Sequence, residues 1–108
     1  MYSEQLAQRL RAVLADVADV VEKRMFGGVA FMVRGNLACG VHQHNLIVRL
    51  GASQAGEALS QPHVVPLALT GKPMANWVMV EPGGCQTEAD LKRWVSSGVE
   101  YATSLPAK

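Results

Sequence analysis

Apolar residues recur at helical spacing at both ends of the chain. Near the N-terminus they fall on one face of a helix predicted over residues 4–18, which Ser3 is placed to cap. Near the C-terminus the same spacing predicts a helix over residues 88–104, with Thr87 as its N-cap and Pro106 ending it. The sequence therefore predicts a terminal helix on each side of a central region with a different pattern.

In that central region, short apolar runs alternate with turn signals, which is typical of β-strands. Strands are predicted over residues 20–24, 28–33, 37–41 and 46–50. The loops between them are short, and parallel strands need a long crossover, so consecutive strands are expected to be antiparallel. The first half of the chain thus predicts a β-meander.

The second half has a less regular pattern. Ser53 is predicted to cap a short helix that continues through Leu59. Residues 62–66 are expected to be extended because prolines bracket them, and a further strand is predicted over residues 74–81. This order of elements predicts an α+β fold, in which the N-terminal and C-terminal helices pack on an antiparallel β-sheet.

Length and charge narrow the class of protein. The chain has 108 residues, which fits one domain over residues 1–108. Its net charge of +1 argues against a strong electrostatic hold on nucleic acid or an anionic membrane. No stretch approaches the roughly 20 apolar residues of a membrane helix, and the first residues are too polar for a secretory signal. We therefore expect a cytoplasmic protein that has no contact with a membrane.

Residues suited to catalysis are sparse. Cys39 and Cys85 lack the partner two residues away that zinc and redox motifs require, so two free thiols are predicted. A pair between Cys85 and His63 depends on the fold, and nothing in the sequence indicates an activated thiol. Few carboxylates lie between Lys23 and Glu88. We predict that the protein is not an enzyme and uses no cofactor.

One cluster has metal-ligand chemistry. On a continuous strand, His42 and His44 would point to the same face and Cys39 to the opposite face. A zinc site needs three or four ligands, and no carboxylate lies nearby in the sequence. A polar hairpin tip is therefore favoured over a metal site.

A glycine doublet, Gly27-Gly28, lies between Arg24 and Phe26 on one side and a predicted strand on the other. Because no phosphate-binding glycine pattern surrounds it, a tight bend or bulge with positive φ is favoured over a ligand loop. Phe26 is expected in the core, since aromatic residues are usually buried. An exposed Arg24 and Phe26 would instead indicate a binding surface.

A second candidate binding surface surrounds Lys72 and Trp77. A lysine beside an aromatic ring binds anions or nucleic-acid bases in many proteins, but tryptophan is more often packed against a sheet. The packed arrangement is favoured here. The candidate binding residues are Arg24, Phe26, Gly27, Gly28, Lys72 and Trp77.

Three motifs occur in order along the chain: R-M-F-G-G-V-A-F from Arg24 followed by G-N-L-A from Gly35, G-K-P-M-A-N-W-V from Gly71, and a final helix that ends in L-P-A-K. Together they resemble the N-terminal domain of the TfoX/Sxy family. The resemblance implies the fold of that domain and a relation to regulators of natural competence, in which a second, helical domain follows. We expect a single-domain member that lacks the C-terminal domain.

Three functions remain as hypotheses. The first is a regulatory module that binds a protein partner such as a component of the transcription machinery, and a homodimer through an exposed edge strand is compatible with it. The second is direct binding of nucleic acid through Lys23, Arg24, Arg34, Arg49 and Lys72. The third is a small-ligand or metal site near the two hairpin histidines.

Overall fold

The computed structural model describes residues 2–25, 27–68 and 71–108, and within these ranges the chain forms one sheet with helices packed on it. The strands are β1 (Val20–Met25), β2 (Gly28–Val33), β3 (Asn36–His42), β4 (Asn45–Arg49), β5 (Val64–Pro66) and β6 (Trp77–Val80). The α-helices are α1 (Glu4–Val13), α2 (Ala52–Ala58) and α3 (Glu88–Ser104). The predicted α+β fold is confirmed.

All neighbouring strands of the sheet are antiparallel, and their order is β1-β2-β3-β4-β6-β5. Strands β1 to β4 form the predicted meander. Strand β6 then pairs with β4, and the short strand β5 lies outside β6. Strands β1 and β5 are therefore the two edges of the sheet.

Side-chain caps fix the beginnings of the two terminal helices. The Ser3 hydroxyl accepts a hydrogen bond from the Leu6 amide at 3.1 Å, and the Thr87 hydroxyl accepts one from the Asp90 amide at 3.0 Å. Each bond satisfies an amide that has no partner within its own helix. Helix α3 has the predicted bounds and stops before Pro106, as expected for a residue that cannot continue a helix.

The first helix is shorter than predicted. Helix α1 ends at Val13, and a 3₁₀ turn continues only to Asp16. The chain then reverses into β1 through Asp19, whose φ is +63°. Leu14 and Val17 still pack against the core from this turn, so the apolar spacing extends beyond the α-helix itself.

The predicted cap of the second helix is wrong. Helix α2 begins at Ala52, and its N-cap is Gly51 rather than Ser53. Gly51 has φ +84°, and a β-carbon placed on it would lie 2.7 Å from the Tyr101 ring. A tertiary contact with α3 therefore selects glycine at this position, and no sequence-local capping rule detects it.

The last strand is also shorter than predicted, because residues 74–76 form a turn. The Met74 amide donates to the Leu67 carbonyl, and the Trp77 amide donates to the Met74 carbonyl. The Asn76 carbonyl accepts from the amides at positions 50 and 51. These bonds use the backbone groups that a strand would otherwise offer to its neighbours.

The main core lies between the sheet and helices α1 and α3, and Phe31, Leu46 and Leu91 are among its fully buried residues. Phe31 of β2 pairs with Cys39 of β3, and the next residue of β2 pairs with Leu37, which leaves Ala38 of β3 as a bulge. Helix α3 packs directly on this bulge, since a β-carbon on Gly98 would lie 2.5 Å from the Ala38 carbonyl oxygen. The bulge and the glycine together set how closely α3 approaches the sheet.

A smaller apolar cluster contains Ile47, Leu67 and Trp77, with Met74 packed against it. Ile47 precedes Val48, a main-core residue, and successive strand residues face opposite sides of a sheet, so this cluster lies on the face away from α1 and α3. Leu67 and Met74, which lie between β5 and β6, cover part of this face.

Candidate functional site

The glycine doublet lies where the turn after β1 leads into β2. Gly27 has φ +72°, which confirms the predicted use of positive φ. Gly28 is buried, and a β-carbon there would lie 1.9 Å from the Val41 carbonyl oxygen. One glycine therefore serves the turn and the other a close approach between β2 and β3. Phe26, the aromatic residue of this motif, lies outside the described residues.

The remaining candidates of the two motifs do not come together. Arg24 is exposed on edge strand β1, and Lys72 is exposed in the loop before β6, with β2, β3 and β4 between those two strands. Trp77 is only 7% exposed and packs with Ile47 and Leu67. The packed arrangement predicted for the tryptophan is confirmed, so its indole face is not available for stacking on a ligand.

The two hairpin histidines do not share a strand. Strand β3 ends at His42, which is half-buried, whereas His44 is exposed in the following turn. Between them, Gln43 has φ +57°, which breaks the alternation on which the same-face prediction depended. In the described ranges, no group of three or more His, Cys, Asp or Glu side chains is arranged to hold a metal ion.

His44 instead lines a surface cleft of about 590 Å³ at the start of α1. Arg9 crosses this cleft from α1 to the first residue of α3 and the segment before it. Its Nε donates to Glu88 Oε1 at 3.0 Å, and its Nη2 donates to the carbonyl oxygens of Cys85 and Gln86 at 3.0 and 3.1 Å. Three acceptors use most of the donor capacity of the guanidinium. Arg9 therefore links α1 to the start of α3. The sequence motifs did not indicate this role.

Both cysteines are free, as predicted, and both are buried. Burial raises the pKa of the Cys39 thiol to about 12 and also raises the pKa of the Cys85 thiol. The Cys85 thiol donates a weak hydrogen bond to the Glu81 carbonyl at 3.7 Å, not to His63. A thiol kept protonated in this way is a poor nucleophile.

A second cleft, also of about 590 Å³, lies between the end of α1 and α3. Four valines line it: Val13, Val17, Val95 and Val99. Its polar rim consists of Asp16, Glu88, Lys92, Ser96 and Glu100. Three of these valines belong to the apolar faces that the sequence predicted for the two terminal helices. Only the structure shows that the space between the two helices remains open as a groove. We call this cleft the α1–α3 groove.

Several motif residues hold the C-terminal tail. The Asn36 side chain, only 2% exposed, donates to the Pro106 carbonyl at 2.9 Å, and the Lys108 amide donates to the Arg34 carbonyl at 2.9 Å. A β-carbon on Gly35 would lie 2.8 Å from the Lys108 carbonyl oxygen. The G-N pair after β2 and the L-P ending thus have an architectural role.

The basic residues considered for nucleic-acid binding are spread over the sheet. Lys23 and Arg24 lie on the exposed edge strand β1, and Arg34 lies in the turn after β2. Arg49 ends the interior strand β4, and Lys72 lies in the loop before β6. The sheet order separates β1 from β4 by two strands, so these five cations do not form one continuous strip along an edge.

An antiparallel sheet with terminal helices on one face and a groove between them defines the class, a small α+β domain. The family model of the TfoX N-terminal domain matches residues 12–102, and the chain belongs to this family. Comparisons with the curated proteins and with the solved structures gave no match. Across the described ranges, no helix combines the length and apolar character required to cross a bilayer.

Proposed function

We propose that this domain is a cytoplasmic protein-interaction module with a regulatory role, and that it binds its partner in the α1–α3 groove. The observation that carries the proposal is the groove itself, an apolar channel between two helices with a mostly acidic rim. Membership of the TfoX N-terminal domain family supports a regulatory context. A component of the transcription machinery is the partner class that we favour.

The apolar floor of the groove is suited to bind one face of a partner helix. Val13 and Val17 are four residues apart on one side, and Val95 and Val99 are four residues apart on the other. Three of these valines are half-buried, so part of their apolar surface is open. Helix-in-groove recognition uses apolar side chains at such spacing to fill a hydrophobic channel.

The charges of the rim favour a positively charged partner segment. Asp16 and Glu100 form no ion pair with the described residues, whereas Glu88 is already bonded to Arg9. Lys92 is the single cation among the residues that line the groove. Complementary charge gives specificity and speeds encounter, so the partner segment should be an amphipathic helix with lysine or arginine beside its apolar stripe.

A charge-placement experiment tests this proposal. Ser96 is exposed and lines the groove, and Ser96→Arg adds bulk and positive charge there. Gln8→Arg makes a comparable change on an exposed position of α1 outside the groove and is the matched control. A photo-crosslinking amino acid at Ala12, also exposed in the groove, would identify the contacting segment in a cytosolic extract.

We expect the crosslinked segment to be a basic amphipathic helix. As a synthetic peptide it should bind the wild-type domain and Gln8→Arg equally, and bind Ser96→Arg about tenfold or more weakly. Fluorescence anisotropy measures these affinities. Crosslinks to an acidic or extended segment, or equal peptide affinity for Ser96→Arg, would refute the proposal.

A further inference from the structure

Arg49, the last residue of β4, is a half-buried cation without a counter-ion in the described part of the chain. Its Nε is buried and has no hydrogen-bond partner, whereas Nη1 and Nη2 are not buried without a partner and have no hydrogen bond to a described side chain or backbone group. Two other partly buried arginines do have acceptors: Arg9 binds Glu88 and two carbonyl groups, and Arg11 binds Glu4 and Glu22. Withdrawing a charge from water without a partner is unfavourable. The half-buried position of Arg49 therefore needs an explanation other than an ion pair within the domain.

Surrounding groups hold the Arg49 side chain in place. Its Cζ lies 5.5 Å from the centroid of the Tyr101 ring, within the range of a cation–π interaction. The Tyr101 ring in turn packs against Gly51, where a β-carbon would lie 2.7 Å from it. The amides of Leu50 and Gly51 both donate to the Asn76 carbonyl, at 2.8 and 3.1 Å. The guanidinium is therefore presented from a strand end whose backbone is fixed.

This end of the sheet is poor in carboxylates. Strands β2 to β6 contain no Asp or Glu, and neither does the loop over residues 71–76. Glu100, the neighbour of Tyr101 on α3, lines the α1–α3 groove instead. The turn at Arg34, where Lys108 also lies, is at the same end because β3 begins there and runs antiparallel to β4. The local excess of charge is positive.

We propose that Arg49, supported by Tyr101, is a binding site for a small oxyanion, a phosphate or carboxylate group of a small molecule. With Nε buried, the exposed edge of the guanidinium is the Nη1–Nη2 edge, which offers two parallel N–H donors to two oxygens of one ligand group. The neighbouring tyrosine ring provides a surface for the apolar part of the ligand. This site is separate from the α1–α3 groove and does not depend on the function proposed for it.

Titration followed by NMR tests the site on the intact domain. Inorganic phosphate and acetate are added in separate series at constant ionic strength, with chloride as the reference anion. We expect saturable shifts of the Arg49 Nε–Hε signal and of the Gly51 amide, with a millimolar dissociation constant. The anion with the lower dissociation constant shows whether the site prefers a phosphate or a carboxylate group.

Two variants separate the effect of the paired guanidinium donors from the effect of the positive charge. Arg49→Lys keeps the charge and loses the planar pair of donors, and it should weaken binding by about tenfold. Arg93→Gln is the matched control, because Arg93 also lies over an aromatic ring, 4.9 Å from the Trp94 centroid, but is exposed and 3.8 Å from Asp90. Its affinity should equal that of the wild type.

Several outcomes would overturn the site. Shifts that do not saturate, equal shifts with chloride, or a wild-type spectrum in which the Arg49 Nε–Hε signal does not move would each exclude it. Unchanged affinity in Arg49→Lys would show that the positive charge alone attracts the anion. Since the wild-type titration gives a direct signal from Arg49, the result does not depend on how well either variant folds.

Discussion

Gly98 of α3 and Ala38 of the β3 bulge are in direct backbone contact: a β-carbon on Gly98 would lie 2.5 Å from the Ala38 carbonyl oxygen. Alanine is the better helix former by about 1 kcal/mol, but overpacking against a backbone atom costs about 1–3 kcal/mol and more when the backbone does not move. We therefore expect Gly98→Ala to destabilise the domain, as measured by urea unfolding.

The matched control for this prediction is Gly56 in α2. A β-carbon there has no neighbour within 4 Å, so only the helix propensity changes. Gly56→Ala should stabilise the domain by about 0.5–1 kcal/mol. If both substitutions shift the unfolding midpoint in the same direction, the close packing of α3 on the bulge is not the cause.

The glycine doublet provides a second prediction, because its two members are constrained differently. Gly27→Val places a β-branched residue at φ +72° in open space and should cost roughly 1–3 kcal/mol. Gly28→Val places a β-carbon 1.9 Å from the Val41 carbonyl oxygen and should cost more, because two strands must separate. Thermal unfolding of both variants measures the difference, and a larger loss at Gly27 would contradict this assignment.

The ion pairs of Arg11 predict that the stability of the domain depends on pH in the acid range. Its guanidinium binds Glu22 through Nε at 2.7 Å and through Nη2 at 2.8 Å, and it also binds Glu4. Hydrogen bonds from Arg11 lower the pKa of both carboxyl groups below the usual value of 4.5. Because the folded-state pKa is lowered, the ion pairs contribute fully to stability above the unfolded-state pKa, which is near the usual value. This contribution is lost as the pH falls through the folded-state pKa.

We expect Arg11→Gln to raise the pKa of both carboxyl groups toward the usual value, as seen by carboxyl-carbon NMR titration. The slope of unfolding free energy against pH in the acid range should become shallower, and the effect should be small since these side chains are largely exposed. Arg93→Gln removes an exposed arginine that touches neither carboxylate and should leave both titrations unchanged.

The buried thiols provide a prediction of reactivity. With the pKa of Cys39 near 12 and that of Cys85 also raised, neither thiol should react with Ellman's reagent at about pH 8 in the native protein. Both should react after unfolding in guanidinium. Ser53→Cys, on an exposed position of α2, should react on mixing and confirms that the reagent is active. A native wild-type thiol that reacts as fast would show that the cysteine pockets open readily.

Much of the fold could be predicted because its signals are local. The caps at Ser3 and Thr87, the bounds of α3 and the meander of β1 to β4 follow from residues close together in the chain. The errors lie where a distant element sets the local backbone. Gly51 replaces Ser53 as the cap because the Tyr101 ring occupies the space for a side chain, and the loop carbonyl of Asn76 shortens the last strand.

The sequence by itself determined the fold class, the family motifs, the free thiols and the scarcity of acidic residues from β2 to β6. The tertiary structure decided the insertion of β6 beside β4, the groove between α1 and α3, and the lack of an ion pair at Arg49 among the described residues. Caps, turns and periodicity act over a few residues, whereas grooves and unpaired charges arise from distances between segments that only the packed chain fixes.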